Sequence, residues 1–316
     1  MKKTIHLKST AGVVAAVSLC VAVTAQTSAD EQSLTTLRIK RKLSIGETNV
    51  FRIKWTSKAM TRIPHVGQNT KSTIEMVQEL TLGIGSMLQD SNYPVTLQVG
   101  PFSYTSYQDG TLAKRLDTKR DPSSDLGLFR SDIIRRLEGC SFKGRMSPSG
   151  SIDIGDSMAN FYKDSPDAQL ARTDLKIAES FLSNVRINIF GDFPDRESFR
   201  VGETFPRRFS STVGNAVNAK GNVTVTIVGF TNVSNRKLIM VKEEGTQSVT
   251  LTAPSPLKMK MKNGRIRSEY LFDPQIAMFV QEASSSDTSW DIEADGERFT
   301  MFQKSEDLRT IEKNVK

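Results

Sequence analysis

The stretch Leu257-Lys258-Met259-Lys260-Met261-Lys262 alternates apolar and charged side chains without a break. Successive side chains of a strand point to opposite faces of a sheet, so this pattern predicts a strand with one buried and one wet face. The same period of two occurs in Asn222–Phe230 and in Val50–Trp55. Antiparallel sheets with one solvated face explain such alternation better than parallel sheets, which are buried on both faces.

Further strands are predicted over Ser72–Leu88 and Tyr93–Tyr107, both rich in apolar and β-branched residues. Short turn signals separate the predicted strands, namely Ser149-Gly150, Asn263-Gly264 and Asp295-Gly296. The spacing of strands and turns predicts that most of the chain is β-structure.

Two segments break this pattern. The apolar residues of Asp125–Gly139 recur at helical spacing, with Asp125 as the predicted N-cap and Gly139 as the stop. A longer amphipathic helix is predicted over Pro166–Val185, capped by Ser165. The fold class that follows is α+β, mainly β, with antiparallel sheets in two β-rich halves, a central amphipathic helix and one shorter helix.

The predicted domain organisation is a signal peptide over residues 1–29, an N-terminal β-rich half with two helices over 30–190, and a C-terminal β-rich half over 191–316. Ser44–Thr48 and Arg200–Thr204 share the tripeptide Gly-Glu-Thr just before a predicted strand. An internal duplication explains both copies, and so does a glycine turn before each strand.

The N-terminus has the layout of a secretory signal, because three lysines precede an uncharged, mostly apolar run from Ala11 to Ala25. The run is shorter than the roughly twenty residues that a membrane-spanning helix needs. Cleavage after Ala25 or Ala29 fits, and the second is preferred. A lipid anchor at Cys20 is disfavoured because the large Leu19 precedes it. The mature chain is expected to be periplasmic or secreted, without a transmembrane segment.

Composition and charge argue against nucleic acid as a partner and against a nucleotide cofactor. Removing residues 1–29 takes away three lysines and no acid, so 43 basic and 35 acidic residues become 40 and 35, a net charge of +5. The basic residues are scattered along predicted strands, which is typical of a solvated face and not of a nucleic-acid site. No nucleotide-binding glycine loop is present, and no cofactor is expected.

The inventory for catalysis is small. His65 is the only histidine of the mature chain, and Pro64 and Gly67 place it in a turn, where an exposed bystander is expected. Cys140 is the only mature cysteine and is expected to be a buried, unreactive residue at the start of a strand. A zinc site of several histidines or cysteines is excluded by this count.

The acidic residues are numerous enough to allow a calcium site or a pair of catalytic carboxylates. Asp291–Gly296 alternates acids like a calcium loop, but its twelfth position would be Phe302, so a polar strand face entering a turn is the preferred interpretation. A pair of carboxylates that hydrolyses glycans is not excluded, because such residues meet only in the fold. No catalytic, cofactor-binding or metal-binding residue is therefore predicted.

One resemblance covers nearly all of the mature chain. An export signal, Ile45–Thr48 before the first strand, a Ser149-Gly150 hairpin, a central helix, and Phe193-Pro194 followed by Val201–Thr204 resemble an uncharacterised family of exported bacterial proteins, a domain of unknown function. Glu203 replaces the aspartate usual in that family, and a phrase like Phe272-Asp273 is common late in it. The resemblance implies a secreted or periplasmic β-rich protein and brings no catalytic residues.

Three functions remain in view. The first is a non-catalytic binding or envelope-associated protein that holds an apolar ligand such as a lipid between sheet and helix. Its predicted groove is lined by Leu170, Ile177, Phe181 and Val185. The second is a structural or assembly protein that docks another envelope protein. The third, least favoured, is a hydrolase that uses carboxylates.

Overall fold

The computed structural model describes residues 37–38, 46, 48–90, 92–127, 131–146, 152–154, 157, 198–213, 217–233, 236–251, 258–273, 278–294 and 297–315. Of these residues, 79% lie in strands and 7% in helical turns. The described part of the chain is therefore nearly all β.

The described strands are β1 (Leu37–Arg38), β2 (Thr48–Ile63), β3 (Gln68–Ile84), β4 (Tyr93–Gln108), β5 (Thr111–Asp117), β6 (Ser141–Met146), β7 (Ile152–Asp153), β8 (Ser198–Phe199), β9 (Thr204–Val213), β10 (Val217–Val233), β11 (Arg236–Leu251), β12 (Lys258–Asp273), β13 (Met278–Ala294) and β14 (Glu297–Val315). Twelve of them form one antiparallel sheet in the order β7-β6-β4-β3-β2-β14-β13-β12-β11-β10-β9, with β5 also paired to β4. β1 and β8 form a separate pair.

The strands form where the sequence alternates. In β2, Phe51 and Ile53 are 2% and 1% exposed, while Arg52 between them is exposed. Val223, Val225 and Ile227 are likewise buried in β10. Eight strands have 16 to 19 residues, which corresponds to a length of roughly 55 Å at about 3.4 Å per residue. We call the face that carries these buried side chains the inner face, and the opposite one the outer face.

The predicted fold class, α+β with antiparallel sheets in two halves, is wrong for this chain. The last strand pairs with the first long strand over fourteen residue pairs, from Phe302↔Arg62 to Val315↔Asn49. Strands from both sides of residue 190 therefore belong to one sheet. The single-sequence pattern could not show this, because alternation fixes the face of a strand and not its neighbour. The division into residues 30–190 and 191–316 stays a prediction.

The predicted shorter helix is also corrected. Its described part, α1, spans only Ser131–Leu137, because Leu126 instead makes a β-bridge with Arg115 and Gly127 has a φ of +65°. Gly139, with a φ of +81°, ends the segment as predicted. The predicted central helix over Pro166–Val185 lies outside the described residues, so α1 is the only α-helix of more than one residue among those that the structure describes.

Two turn predictions have different outcomes. Gly46 and Gly202 both have a left-handed φ, +85° and +83°, just before β2 and β9, as the glycine-turn explanation predicts. The predicted turn at Asn263-Gly264 is wrong, since both residues lie inside β12 beside a β-bulge. A Cβ on Gly264 would lie 2.6 Å from the Gln247 carbonyl oxygen, so this glycine serves a close approach of backbones and not a turn.

Three apolar clusters occupy the inner face. The first joins β2, β3, β4, β6 and β14 to α1, which covers it with Ile133 and Leu137. The second lies on β9 to β13 and includes Phe272 and Phe279 with ring centroids 5.3 Å apart. The third contains Trp290, near the C-terminal end of β13, and Met301, near the N-terminal end of β14. The strip between these clusters is polar.

Candidate functional site

The predicted groove residues Leu170, Ile177, Phe181 and Val185 lie outside the described residues. The structure therefore does not test the proposed groove between sheet and helix, and it stays a prediction.

The structure places His65 at the surface and Cys140 in a partly buried position. His65 lies in the short 3-10 turn Pro64–Val66, with Nε2 3.5 Å from Glu297 Oε2 and both side chains 57% exposed. Cys140 is partly buried, and its Sγ donates to the Arg136 carbonyl at 2.9 Å. Burial raises the pKa of the Cys140 thiol, against a smaller opposing effect of Arg136. A raised pKa leaves less thiolate, so the thiol is a weak nucleophile.

A polar belt crosses the inner face between the apolar clusters. Its central row follows the strand registers from β2 to β11 and consists of Ser57, Asp307, Ser284, Ser268 and Glu243. All five are between 1% and 7% exposed. A polar group that is buried without a hydrogen-bond partner lowers the stability of the fold. The hydrogen bonds within this belt therefore determine how much its burial costs.

Most charged groups of the belt are paired. The Arg207 guanidinium donates to Glu243 Oε2 at 2.6 Å, and the Tyr270 hydroxyl donates to the same oxygen at 2.8 Å. Arg309 forms an ion pair with Glu282 on the neighbouring strand. Burial raises the pKa of Tyr270 and lowers the pKa of Arg309 to about 10. At neutral pH, Tyr270 is therefore a hydroxyl donor and Arg309 still carries its charge.

Asp307 is the exception. It is 1% exposed, and neither carboxylate oxygen accepts a hydrogen bond of ordinary geometry. Burial raises the pKa of Asp307 to about 7, and the neighbouring Ser57 hydroxyl only partly opposes this. The hydroxyls of Ser284 and Ser305 beside it also lack partners. The belt therefore contains a carboxyl group that is largely protonated below neutral pH.

The outer face is charged and solvated. Cross-strand ion pairs such as Lys54–Glu312 at 2.5 Å and Lys262–Asp291 at 2.9 Å have side chains 45% to 56% exposed. Asp291 and its neighbours to Ala294 belong to β13, which confirms the polar strand face predicted there. Exposed pairs of this kind contribute about 0–1 kcal/mol each. This face therefore keeps the sheet hydrated more than it stabilises it.

A cleft of about 720 Å³ lies on β9, β10 and β11. Its lining is made of Arg208, Lys220, Gly221, Asn222, Thr246, Gln247 and Ser248. Five of these side chains are exposed and alternate onto the outer face, the exceptions being Gly221 and Gln247. The registers Arg208↔Asn222↔Thr246 and Lys220↔Ser248 place the five in two adjacent rows.

One strand ladder ends beside the cleft. β11 pairs with β12 only as far as Thr246↔Arg265, whereas it continues to pair with β10 up to Leu251. The ladder between β11 and β12 therefore ends at Thr246, although the two backbones remain close where Gly264 faces Gln247. Gln247 is 6% exposed there, and its side-chain amide has no hydrogen-bond partner.

The cleft is cationic. Its lining holds Arg208 and Lys220 and no carboxylate, and no described acid pairs with either cation. The nearest carboxylate along the outer face of β11 is Glu244, which is 3.1 Å from Lys242 and 3.8 Å from Arg267. The cleft can therefore attract anions and exchange hydrogen bonds through hydroxyl and amide groups.

Chemistry beyond binding lacks support in this cleft. Thr246 and Ser248 are hydroxyl groups without a histidine or carboxylate in the lining to remove their protons. Within the described ranges, no group of three or more His, Cys, Asp and Glu residues is placed to hold a metal ion. No helix in the described part of the chain has the length and apolar character needed to cross a membrane.

Sequence reasoning missed the cleft, although one signal for it exists. No acidic residue occurs between Glu203 and Glu243, while that segment contains six basic residues, Arg207, Arg208, Lys220, Arg236, Lys237 and Lys242. Which of these cations face the same side and lie side by side depends on the register of three strands, and alternation alone does not give it.

No family model matches this chain, and neither does any curated protein. The chain is similar to solved structures at low levels. A lipovitellin structure on lipid–protein interactions has a TM-score of 0.42 and 11% identity, covering 87% of this chain and 26% of that one. This chain thus spans about a quarter of the length of lipovitellin. An exported protein with a YmcC-like fold from Bacteroides fragilis NCTC 9343 has a TM-score of 0.20 and 11% identity, covering 88% and 100%.

An outer membrane channel from Pseudomonas putida F1 has a TM-score of 0.22 and 8% identity, covering 86% of this chain and 97% of that one. Similarities at this level carry no argument about function. The resemblance to an uncharacterised exported family, which the sequence motifs indicated, stays a prediction.

Proposed function

We propose that this is an exported, non-catalytic binding protein whose outer-face cleft on β9 to β11 holds a polar ligand. The observation that carries the proposal is the composition of the cleft. Two cations, an amide and two hydroxyls line one solvent-accessible cleft of about 720 Å³, within the range of volumes that small-molecule sites occupy.

The absence of catalysis is part of the proposal. The cleft lining supplies hydrogen-bond donors and acceptors but no general base. His65 lies in an exposed turn, and among the described residues Glu297 is its only ionic neighbour. A hydroxyl nucleophile needs an adjacent base to be activated. Binding without turnover is what such a lining favours.

Export rests on the sequence. The lysine-rich start, the apolar run to Ala25 and the small residues up to Ala29 support cleavage of a signal peptide and a periplasmic or secreted location. A lipid or an envelope protein is then an accessible partner. The apolar groove expected beside Phe181 would take an acyl chain, whereas the cleft favours a polar group.

Native mass spectrometry of the mature protein, purified from its own source without detergent, tests the proposal. A stoichiometric small molecule that is released on activation and lost in an Arg208→Gln/Lys220→Gln variant supports binding at the cleft. A ligand retained unchanged by that variant contradicts the cleft as its site. Turnover of a glycan or peptide panel by the wild-type protein contradicts the non-catalytic assignment.

One observation favours the structural alternative as a second candidate. Among the described strands, β9 pairs with β10 on one side only, so its other edge has backbone groups available for a partner strand. A protein partner that stays bound in native mass spectrometry, and that is lost when Pro replaces Ser211 in β9, would favour docking at this edge over ligand binding.

A further inference from the structure

We infer that the cleft recognises an anionic group that carries hydroxyls beside it, such as the phosphate or carboxylate of an acidic sugar or of a polyol phosphate headgroup. This inference rests on the proposed function and names the class of ligand. It follows from the charges of the cleft, from its hydrogen-bonding groups and from its place in the sheet.

Arg208 and Lys220 place two unopposed positive charges close together in the cleft. Lys220 pairs with Ser210 in the register of β9 and β10, so Arg208, two residues away on the same face, is its diagonal neighbour. Diagonal neighbours in an antiparallel pair lie roughly 7–8 Å apart. Two cations at this separation repel each other, and an anion bound between them would remove the repulsion.

Few acidic residues surround the cleft. The strands β9 and β10 contain no acidic residue. Arg265 faces Thr246 at the border of the cleft, but Asp287 faces it across the register of β12 and β13. The unopposed cations are therefore Arg208 and Lys220, whose register partners are neutral. By contrast, the outer-face cations Lys242, Lys262 and Lys304 all have an acidic partner within 4 Å. The local field of the cleft is thus positive, whereas the charges of these three lysines are compensated.

Neutral polar side chains complete the lining of the cleft. Asn222 and Thr246 lie between Arg208 and Arg265 in one row, and Ser248 lies next to Lys220 in the other. Their amide and hydroxyl groups donate and accept hydrogen bonds at once, as the hydroxyls of a sugar or polyol require. A bare inorganic anion would use the two cations but not this row.

Isothermal titration with soluble probes tests the inference. Glucose 6-phosphate and glucuronate are expected to bind, glucose is expected not to bind at the same concentrations, and inorganic phosphate is expected to bind more weakly than glucose 6-phosphate. An Arg208→Gln/Lys220→Gln variant should lose affinity by about tenfold or more, since it removes both charged donors that could form charge-assisted hydrogen bonds to the anion. Added salt should weaken binding as well.

Lys58→Gln is the matched control. Lys58 is exposed on the same face of the sheet but lies on β2, five strands away from β10, so its loss should leave the affinity unchanged. An Asn222→Ala variant should reduce the preference for glucose 6-phosphate over inorganic phosphate without abolishing the binding of either.

The outcomes distinguish failure of the ligand class from failure of the proposed binding function. Binding of glucose as tight as that of its phosphate, or binding that survives loss of both cations, overturns the ligand class but leaves a binding protein. No binding of any soluble probe, and none to phosphatidylglycerol vesicles, overturns the proposed function itself. Binding to the vesicles alone assigns the anion to a lipid headgroup, and binding to the soluble probes alone assigns it to a sugar.

Discussion

Replacing Asp307 with asparagine should stabilise the protein at neutral and alkaline pH. The Asp307 carboxyl group lies in the middle of β14, 1% exposed, without an accepted hydrogen bond of ordinary geometry. The nearest charge along its own strand face is that of Arg309, which Glu282 neutralises by an ion pair. An ionised Asp307 is therefore desolvated without a charged partner of its own. This desolvation lowers the free energy of unfolding.

The magnitude follows from the pKa. Burial raises the pKa of Asp307 from 3.8 to about 7, and each unit corresponds to about 1.4 kcal/mol. Because the folded state holds its proton more tightly than the unfolded state, the free energy of unfolding falls as pH rises from about 4 to about 7. The total loss of unfolding free energy is about 4 kcal/mol as an upper bound. The loss is complete above the pKa of Asp307 in the folded state and absent below its pKa in the unfolded state.

Urea unfolding of the wild type and of Asp307→Asn, from about pH 4 to about pH 9, measures this directly. The variant should have nearly wild-type stability at the acid end and an advantage that grows by up to about 1.4 kcal/mol per pH unit. Asp287→Asn is the control, because Asp287 is 55% exposed on the outer face beside Lys304, and its stability difference should stay within about 1 kcal/mol.

The reasoning is refuted by a stability difference between Asp307→Asn and wild type that does not change with pH. It is equally refuted if the variant is less stable than wild type at about pH 8. Either result would mean that Asp307 is ionised in the folded protein and held by partners that compensate its desolvation.

Two further predictions concern the fold. Gly245→Ala should lower the free energy of unfolding by about 1–3 kcal/mol or more, because the new Cβ would clash with the backbone carbonyl oxygen of Asn222. Gly229→Ala, whose Cβ would meet only a Met side chain at 3.7 Å, should be nearly neutral in the same urea titration, and equal effects of the two would contradict the packing argument. Arg135→Met should cost about 3 kcal/mol, since Arg135 donates to both carboxylate oxygens of Asp125 at 2.8 and 2.7 Å with 15% and 11% of the side chains exposed. These hydrogen bonds lower the pKa of Asp125, so the deficit of the variant should shrink as pH falls below about 3.8, and a deficit independent of pH would contradict the ion pair as its cause.

Alternation in the sequence predicted which residues form strands and which of their side chains are buried. Phe51 and Ile53 in β2 and Val95 and Leu97 in β4 are buried as expected, because a period of two leaves no other way to hide every apolar residue of a strand. Strand order is a different kind of information. The pairing of β14 with β2 joins residues more than 230 positions apart in sequence, and nothing in either strand alone specifies its neighbour.

Turns and helix ends were less predictable for a related reason. Asn263-Gly264 has the composition of a hairpin turn, but it lies within β12 because Gly264 allows the backbone of β11 to approach closely. The helix start at Asp125 was wrong because Asp125 accepts hydrogen bonds from Arg135 while its neighbour Leu126 pairs with Arg115. In both places a tertiary contact replaced the local role that the sequence favoured.

The candidate site depends on the same separation between faces. Arg207 and Arg208 are adjacent in sequence, yet the alternation of β9 sends them to opposite sides of the sheet. Arg207 is 22% exposed and pairs with Glu243 in the polar belt, where its charge is compensated inside the fold. Arg208 is exposed in the cleft, and no described acid pairs with it. Glu243, the first acid after Glu203, faces inward, and Glu244 on the outer face lies beside Lys242 and Arg267. The two cations of the cleft are therefore without an acidic partner among the described residues, and this is the charge that the proposed anionic ligand would neutralise.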